Sequence, residues 1–244
     1  MYARRSALLA AALVTVVLVT GCTDPAPLGR SPEIDVSSAV AASAAAKKEL
    51  LAALAQFQKG TYRYAVDADY LDGQRIQASG AHDPAAHRYT RRFTITGGPQ
   101  AGSGELILIG DDLYTRTGDR SRWVHENLGV LATDNPLLTV EAEDPSGLVA
   151  FADAVDWTDR TGRNTLDGAF DPPAAGVAIL PLGAPSMSLF SRGNAGYTAT
   201  TDAQGHIVSI VMDLNTVDGR RKLTSTFSDH GKPVTITKPK KADL

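Results

Sequence analysis

One cysteine, Cys22, occurs in 244 residues, so no intramolecular disulfide staples this chain and its stability must come from a packed core. Apolar runs long enough to span a bilayer are also missing. The longest, Ala7–Val19, has 13 residues where a spanning helix needs about 20. Aromatic residues make up only 6%, and no large excess of either charge appears. The sequence has no GxSxG elbow, no HExxH, no phosphate-binding glycine loop and no CxxC pair. These absences argue against a disulfide scaffold, a membrane helix and the common catalytic and nucleotide-binding motifs. No catalytic role, cofactor or metal is expected.

What is present begins at the front end. Arg4 and Arg5 precede the apolar run, and Thr20 and Gly21 follow it, which is the layout of a signal peptide over residues 1–21. Val19-Thr20-Gly21-Cys22 resembles the bacterial lipobox, which implies cleavage before Cys22 and acylation of its thiol. The expected partner of Cys22 is therefore the membrane, on the extracytoplasmic face. Removal of residues 1–21, with two arginines and no acid, leaves 22 basic and 27 acidic side chains, a net charge of −5. That is the wrong sign for a nucleic-acid partner.

Residues 22–34 carry Pro25, Pro27 and Pro32 among small and polar residues and read as an extended tether. A single domain is expected over 35–244, and a monomer. Asp35 and Gly60 bracket an Ala/Leu-rich helix, with Leu50, Leu54 and Phe57 on one face and Lys47, Lys48 and Glu49 outside. The period then drops to two. Tyr62, Tyr64, Val66, Ala68 and Tyr70 share one face of a strand, and Leu71-Asp72-Gly73-Gln74 turns it. Short strands follow with Tyr89, Phe93 and Ile95 on one side, then Gly104–Gly118 with a turn at Gly110–Asp112, then Arg122–Leu128. Asn135-Pro136 and Asp144-Pro145 are helix-start signals. Leu148, Phe151, Ala152 and Val155 fall at helical spacing, giving a short core-facing helix. Residues 160–196 open like a strand through an Asp167-Gly168 turn, then fill with proline, glycine and small residues, as in a long loop or mobile flap. Two more hairpins are expected, about 202–205, with His206, Val208, Ile210, Met212 and Leu214 on one face, and about 229–231.

The expected fold is thus α+β and mainly antiparallel β: one curved sheet, a half-barrel, covering an N-terminal helix and a short middle helical insert. Between sheet and helix, Tyr62, Tyr64, Val66, Tyr70, Phe93, Ile95, Leu148, Phe151, Val208, Ile210 and Met212 are the candidate lining of an apolar cavity. On the alternative they are ordinary core. His82 and His87 in "HDPAAH" read as polar residues bracketing a turn rather than as metal ligands.

The lipobox, "GELILIGDDLYTRTGDRSRWV", "EDPSGLVAFADAVD" and the closing "DAQGHIVSIVMDL…LTSTFSDHGKPVTITKP" come in an order that resembles the actinobacterial LppX/LprA/LprF/LprG lipoprotein family. The fold of that family is similar to LolA and LolB. The resemblance implies a cavity for acyl chains, and hence a lipid-anchored envelope protein that binds and shuttles a lipid or glycolipid. Burial in a dry cavity would contribute roughly 0.8 kcal/mol per CH₂. The stretch after "LDGAFDPP" departs from the pattern, being short where further strand and helix are expected. The rival expectation is a non-transporting interaction module of the same fold with a filled core.

Overall fold

In a computed structural model of the chain, the residues described are 36–118, 122–128, 140–172, 180–186, 194–216 and 219–240. The signal, the lipobox with Cys22, the tether and the Asn135-Pro136 helix start lie outside them. Residues 36–244 make one compact unit.

Strict alternation builds the first half. β1 (Tyr62–Asp69) alternates buried and less buried residues along its whole length, as its tyrosine face requires. A turn at Leu71–Gly73, with Asp72 and Gly73 both at positive φ, leads into β2 (Arg75–Asp83). The meander continues through β3 (Arg88–Thr96), β4 (Gly102–Ile109), β5 (Asp112–Thr117) and β6 (Val124–Asn127). The chain then crosses to the far edge and returns through β7 (Val155–Gly162), β8 (Thr165–Phe170), β9 (Ala195–Thr201), β10 (Ile207–Thr216) and β11 (Gly219–Ser228). The described strands form one open, curved antiparallel sheet of eleven, in the order β6-β5-β4-β3-β2-β1-β11-β10-β9-β8-β7. The first and last strands are central neighbours, with Tyr64 opposite Phe227.

Helix α1 (Val36–Gln56) crosses the inner face from the β7 edge towards the centre. Near its start Ser43 Oγ donates to the Thr158 carbonyl at 2.9 Å. Past its end, Phe57 packs on Tyr62 and Phe227 at 4.7 and 4.8 Å between ring centroids. Lys47, expected outside, instead donates to the carbonyls of Val155 and Asp156 at 2.6 and 3.0 Å. A long stem lets it cover apolar surface while its ammonium closes the edge of the sheet. Lys47→Met is expected to lower stability by about 1 kcal/mol, since charged hydrogen bonds are lost at a part-exposed site. Urea unfolding checks this, and a variant as stable as the parent would refute the edge clamp.

Four further expectations need correction. Helix α2 covers only Leu148–Ala154, and Val155 already begins β7. Asp144 still serves its start, because Oδ2 accepts from the backbone N–H of Val149 and Ala150, both at 2.9 Å. Asp167-Gly168 is not a turn but lies inside β8, where a Cβ on Gly168 would sit 2.4 Å from Tyr197 Oη, so only glycine fits. Asp229–Gly231 does turn the chain, yet residues 232–240 form no strand. They lie along the domain with Ile236 buried and its carbonyl accepting from Arg88. Val208 leaves the inner face, because a bulge between Ile207 and Ser209 shifts the register and puts Ile207 inside with Ile210.

Candidate functional site

The concave face brings together ten of the eleven candidate lining residues. Tyr62, Tyr64, Val66 and Tyr70 of the first strand and its end, Phe93 and Ile95 of β3, Leu148 and Phe151 of α2, and Ile210 and Met212 of β10 belong to one buried cluster. Val208 is the exception. Phe151 sits edge-on to Phe170 and to Tyr197, both at 5.3 Å. These contacts explain why α2, though only two turns long, is held firmly against β8 and β9.

The segment read as an open loop contributes to the same cluster. Within 180–186, Leu180, Leu182 and Ala184 are buried at the middle of the concave face. Gly183 has a φ of 84° and lies so close over Tyr64 that a Cβ there would be 2.8 Å from the ring. Its N–H donates to the Ser146 carbonyl, Ser225 Oγ donates to the Leu182 carbonyl, and Tyr70 Oη donates to the Ser186 carbonyl, at 2.9, 2.9 and 3.0 Å. The segment belongs to neither sheet nor helix. Its role was illegible in sequence because a packed irregular stretch has no periodicity.

Polar groups inside this face are chained together. Tyr62 Oη lies 2.8 Å from Ser146 Oγ and 3.1 Å from His82 Nδ1. His82, far from marking a polar turn, is 4% exposed on β2, and burial pushes its imidazole down to about 4. The ring is therefore neutral at pH 7, as a hydrogen-bonded core residue would be. Ser146 and His82 each bond to Tyr62 and not to each other, so the trio ties the approach to α2 onto β1 and β2.

A second chain runs beside it. Tyr64 and Tyr89 stack at 5.7 Å with planes 9° apart, and their hydroxyl oxygens are 2.7 Å apart. Tyr64 Oη is also 2.8 Å from the Thr90 carbonyl. A carbonyl only accepts, so the Tyr64 hydrogen points there and Tyr89 supplies the hydrogen between the two rings. Tyr89 is in turn hydrogen-bonded to Arg91. Burial raises Tyr64 and Tyr89 above the usual phenol range, and Tyr70 is pushed up to about 12 by the same cause.

Arg91, 3% exposed, is the inner-face residue that the sequence reading missed. The signal was available, because in Tyr89-Thr90-Arg91-Arg92-Phe93 the alternation places Arg91 with the two aromatics. Among the described residues no group of three or more His, Cys, Asp or Glu is placed to hold a metal. Nor is any described helix long and apolar enough to cross a membrane.

Three open clefts are formed by described residues. One of about 430 Å³ runs across β1–β4 and is lined by Arg63, Tyr64, Ser79, Gly80, Arg91, Arg92 and Glu105 among others. Another of about 410 Å³ lies beside α1, between Glu49, Gln56 and His206. A third of about 190 Å³ sits at the sheet end between His82, Arg88 and Glu143. None of the three runs between α1 and the tyrosine face, where the candidate lining residues pack against one another.

No family model matches the chain, and no curated protein does. Solved structures are similar in architecture. The Mycobacterium tuberculosis lipoprotein LppX is 16% identical over 78% of this chain and 99% of its own, with a TM-score of 0.38. The LolA superfamily protein NE2245 from Nitrosomonas europaea is 11% identical over 81% and 98%, with a TM-score of 0.30. A putative outer membrane lipoprotein-sorting protein domain from Vibrio parahaemolyticus is 9% identical over 76% and 92%, with a TM-score of 0.28.

Proposed function

We propose that this is a lipid-anchored protein of the cell envelope, tethered through acylated Cys22 on the extracytoplasmic face, whose single domain binds and carries an amphiphile. The acyl chain would take the place of residues 180–186 on the concave face. One observation carries the reading: the centre of an otherwise regular half-barrel is filled by an irregular apolar segment, Leu180 to Ser186. It lacks the regular ladder of a paired strand, and its links to the rest of the domain include the hydrogen bonds with Ser146, Ser225 and Tyr70. Exposing its two leucines costs roughly 2–3 kcal/mol each, while burying a chain of a dozen methylenes returns roughly 10 kcal/mol relative to water. A bilayer is as apolar as the protein core, so the chain gains little on leaving it, and uptake carries the roughly 4–6 kcal/mol cost of exposing the two leucines, which keeps loading reversible.

The tight packing of the same face favours a second reading, an envelope interaction module whose core is permanently filled. Native mass spectrometry of the chain from residue 23 onward, purified from its own host, separates the two. The carrier is expected to show a mass excess of one lipid, released on denaturation. A bare polypeptide mass in every preparation would leave the interaction module standing.

A further inference from the structure

Resting on the reading that Cys22 is acylated, we propose that the margin of the domain formed by α1, α2 and β7 docks on the bilayer that holds the anchor, with Trp157 at head-group level. Four large apolar side chains are exposed among the described residues: Val40, Val124, Val149 and Trp157. Three of them fall on elements that meet at one margin. Val40 is on α1, Val149 on α2 and Trp157 on β7, α2 runs directly into β7, and α1 packs against both. Val40, Ser43 and Lys47 share one face of α1, at i, i+3 and i+7. Ser43 and Lys47 hold carbonyls of β7 from Val155 to Thr158, so Trp157 lies within the clamped stretch and Val40 one helical turn along the same margin. Val40 is 65% exposed and Trp157 47%.

The route of the chain says what meets this margin. Cys22 and Val36, the first residue of α1, are 14 positions apart, so the link between them spans at most about 50 Å. It enters the domain one turn, about 6 Å, from Val40. A lipid surface held this close is present at an effective concentration on the order of millimolar, and a contact too weak to recruit a free domain is enough to orient a tethered one. Tryptophan suits that contact, because its ring takes the acyl boundary while its N–H reaches head-group oxygens. The charges choose the head group. Arg160 is paired with Glu49, and Asp156 and Asp159 on β7 are offset by Lys47 and by Arg163 in the turn that follows. With no excess of cations, the margin suits zwitterionic lipid rather than a strongly anionic surface.

The acylated chain, purified from its own host and reconstituted in phosphatidylcholine vesicles doped with a head-group nitroxide lipid, tests this by tryptophan quenching. The two tryptophans belong to opposite edges of the sheet, Trp157 on β7 and Trp123 immediately before β6. The variants Trp123→Phe and Trp157→Phe therefore each report one margin. Trp157 is expected to be quenched roughly threefold more than Trp123. Val40→Glu, a change at an exposed site, should reduce the Trp157 quenching about twofold. If Trp123→Phe does not fold, the difference between the parent chain and Trp157→Phe gives the same quantity. Equal quenching of the two tryptophans, stronger quenching of Trp123, or none, in a chain that floats with the vesicles, would overturn the docking face and leave the anchor intact. A chain that does not float with the vesicles would overturn both.

Discussion

Gly80→Ala is expected to destabilise the domain by about 3 kcal/mol or more, lowering its melting temperature by roughly 10 °C. The added Cβ would lie 1.9 Å from the Thr90 carbonyl oxygen and 2.5 Å from Tyr64 Oη. Tyr64 has no easy escape, since Tyr89 stacks on one side of it and Gly183 presses upon it. The Thr90 oxygen belongs to β3, the paired neighbour of β2, and cannot swing away. Overpacking that meets main chain is costlier than overpacking that meets a flexible side chain. Gly102→Ala is the control. Nothing lies within 4 Å of a Cβ there and its φ is ordinary, so its stability should stay level or rise by up to about 1 kcal/mol. Thermal and urea unfolding of both variants decide the matter, and a Gly80→Ala chain as stable as its parent would refute the account. The same geometry recurs at Gly104 beneath the Phe93 ring and at Gly168 beneath Tyr197. All three are directly opposed cross-strand pairs, so an aromatic ring lies over a bare backbone at three places in the sheet. Such pairs let a sheet bend without opening a hole.

Acidification from pH 7 to pH 4 is expected to cost roughly 3 kcal/mol through His82 alone. The unfolded imidazole takes its proton near pH 6.5, whereas the folded one, held neutral by burial, takes it only at about 4. Between these values the unfolded state binds more protons, so stability falls as pH falls. Above 6.5 the contribution is complete. His230 is lowered mainly by burial and adds in the same direction. Asp229, lowered by its hydrogen bond and charge pairing with Lys232, loses its contribution as pH falls below the ordinary carboxylate range. Asp144 acts oppositely. Burial raises it, so its contribution is present at low pH and lost as pH rises through its folded value. At the alkaline end, the raised phenols Tyr64 and Tyr89 favour the folded state below about pH 10 and cease to do so above it. Denaturant unfolding at pH 7, 5.5 and 4.5 measures the slope. His82→Gln should flatten it, and an undiminished slope in that variant would exclude His82 as the cause.

The half of the fold that alternates cleanly was legible from sequence. Tyr62 to Tyr70 name a face, and the face is where they say it is. Arg91 was equally legible, yet a charged residue between aromatics invites the assumption that it points outward. Register-dependent features were hidden. Glycine opposite tyrosine has meaning only once β1 is known to pair with β2, and the bulge at Val208 turns the His206–Leu214 alternation by one step. Segments 180–186 and 232–240 were hidden for another reason. Leu182 and Ile236 are buried by isolated contacts within irregular backbone, and neither helical nor strand period announces them.

Because β1 and β11 are adjacent, the strand order is a plain meander that has been cut and rejoined elsewhere. Were the chain ends linked and the β6–β7 connection opened, every strand would follow its spatial neighbour in sequence. The natural connectivity instead sends the polypeptide from one margin of the sheet to the other between Asn127 and Val155. That traverse carries Asp144, Ser146, Leu148 and Phe151 across the hollow of the sheet. The interior of this half-barrel is therefore furnished by its own longest journey, and the point of circular rearrangement is also the origin of the side chains that fill the hollow.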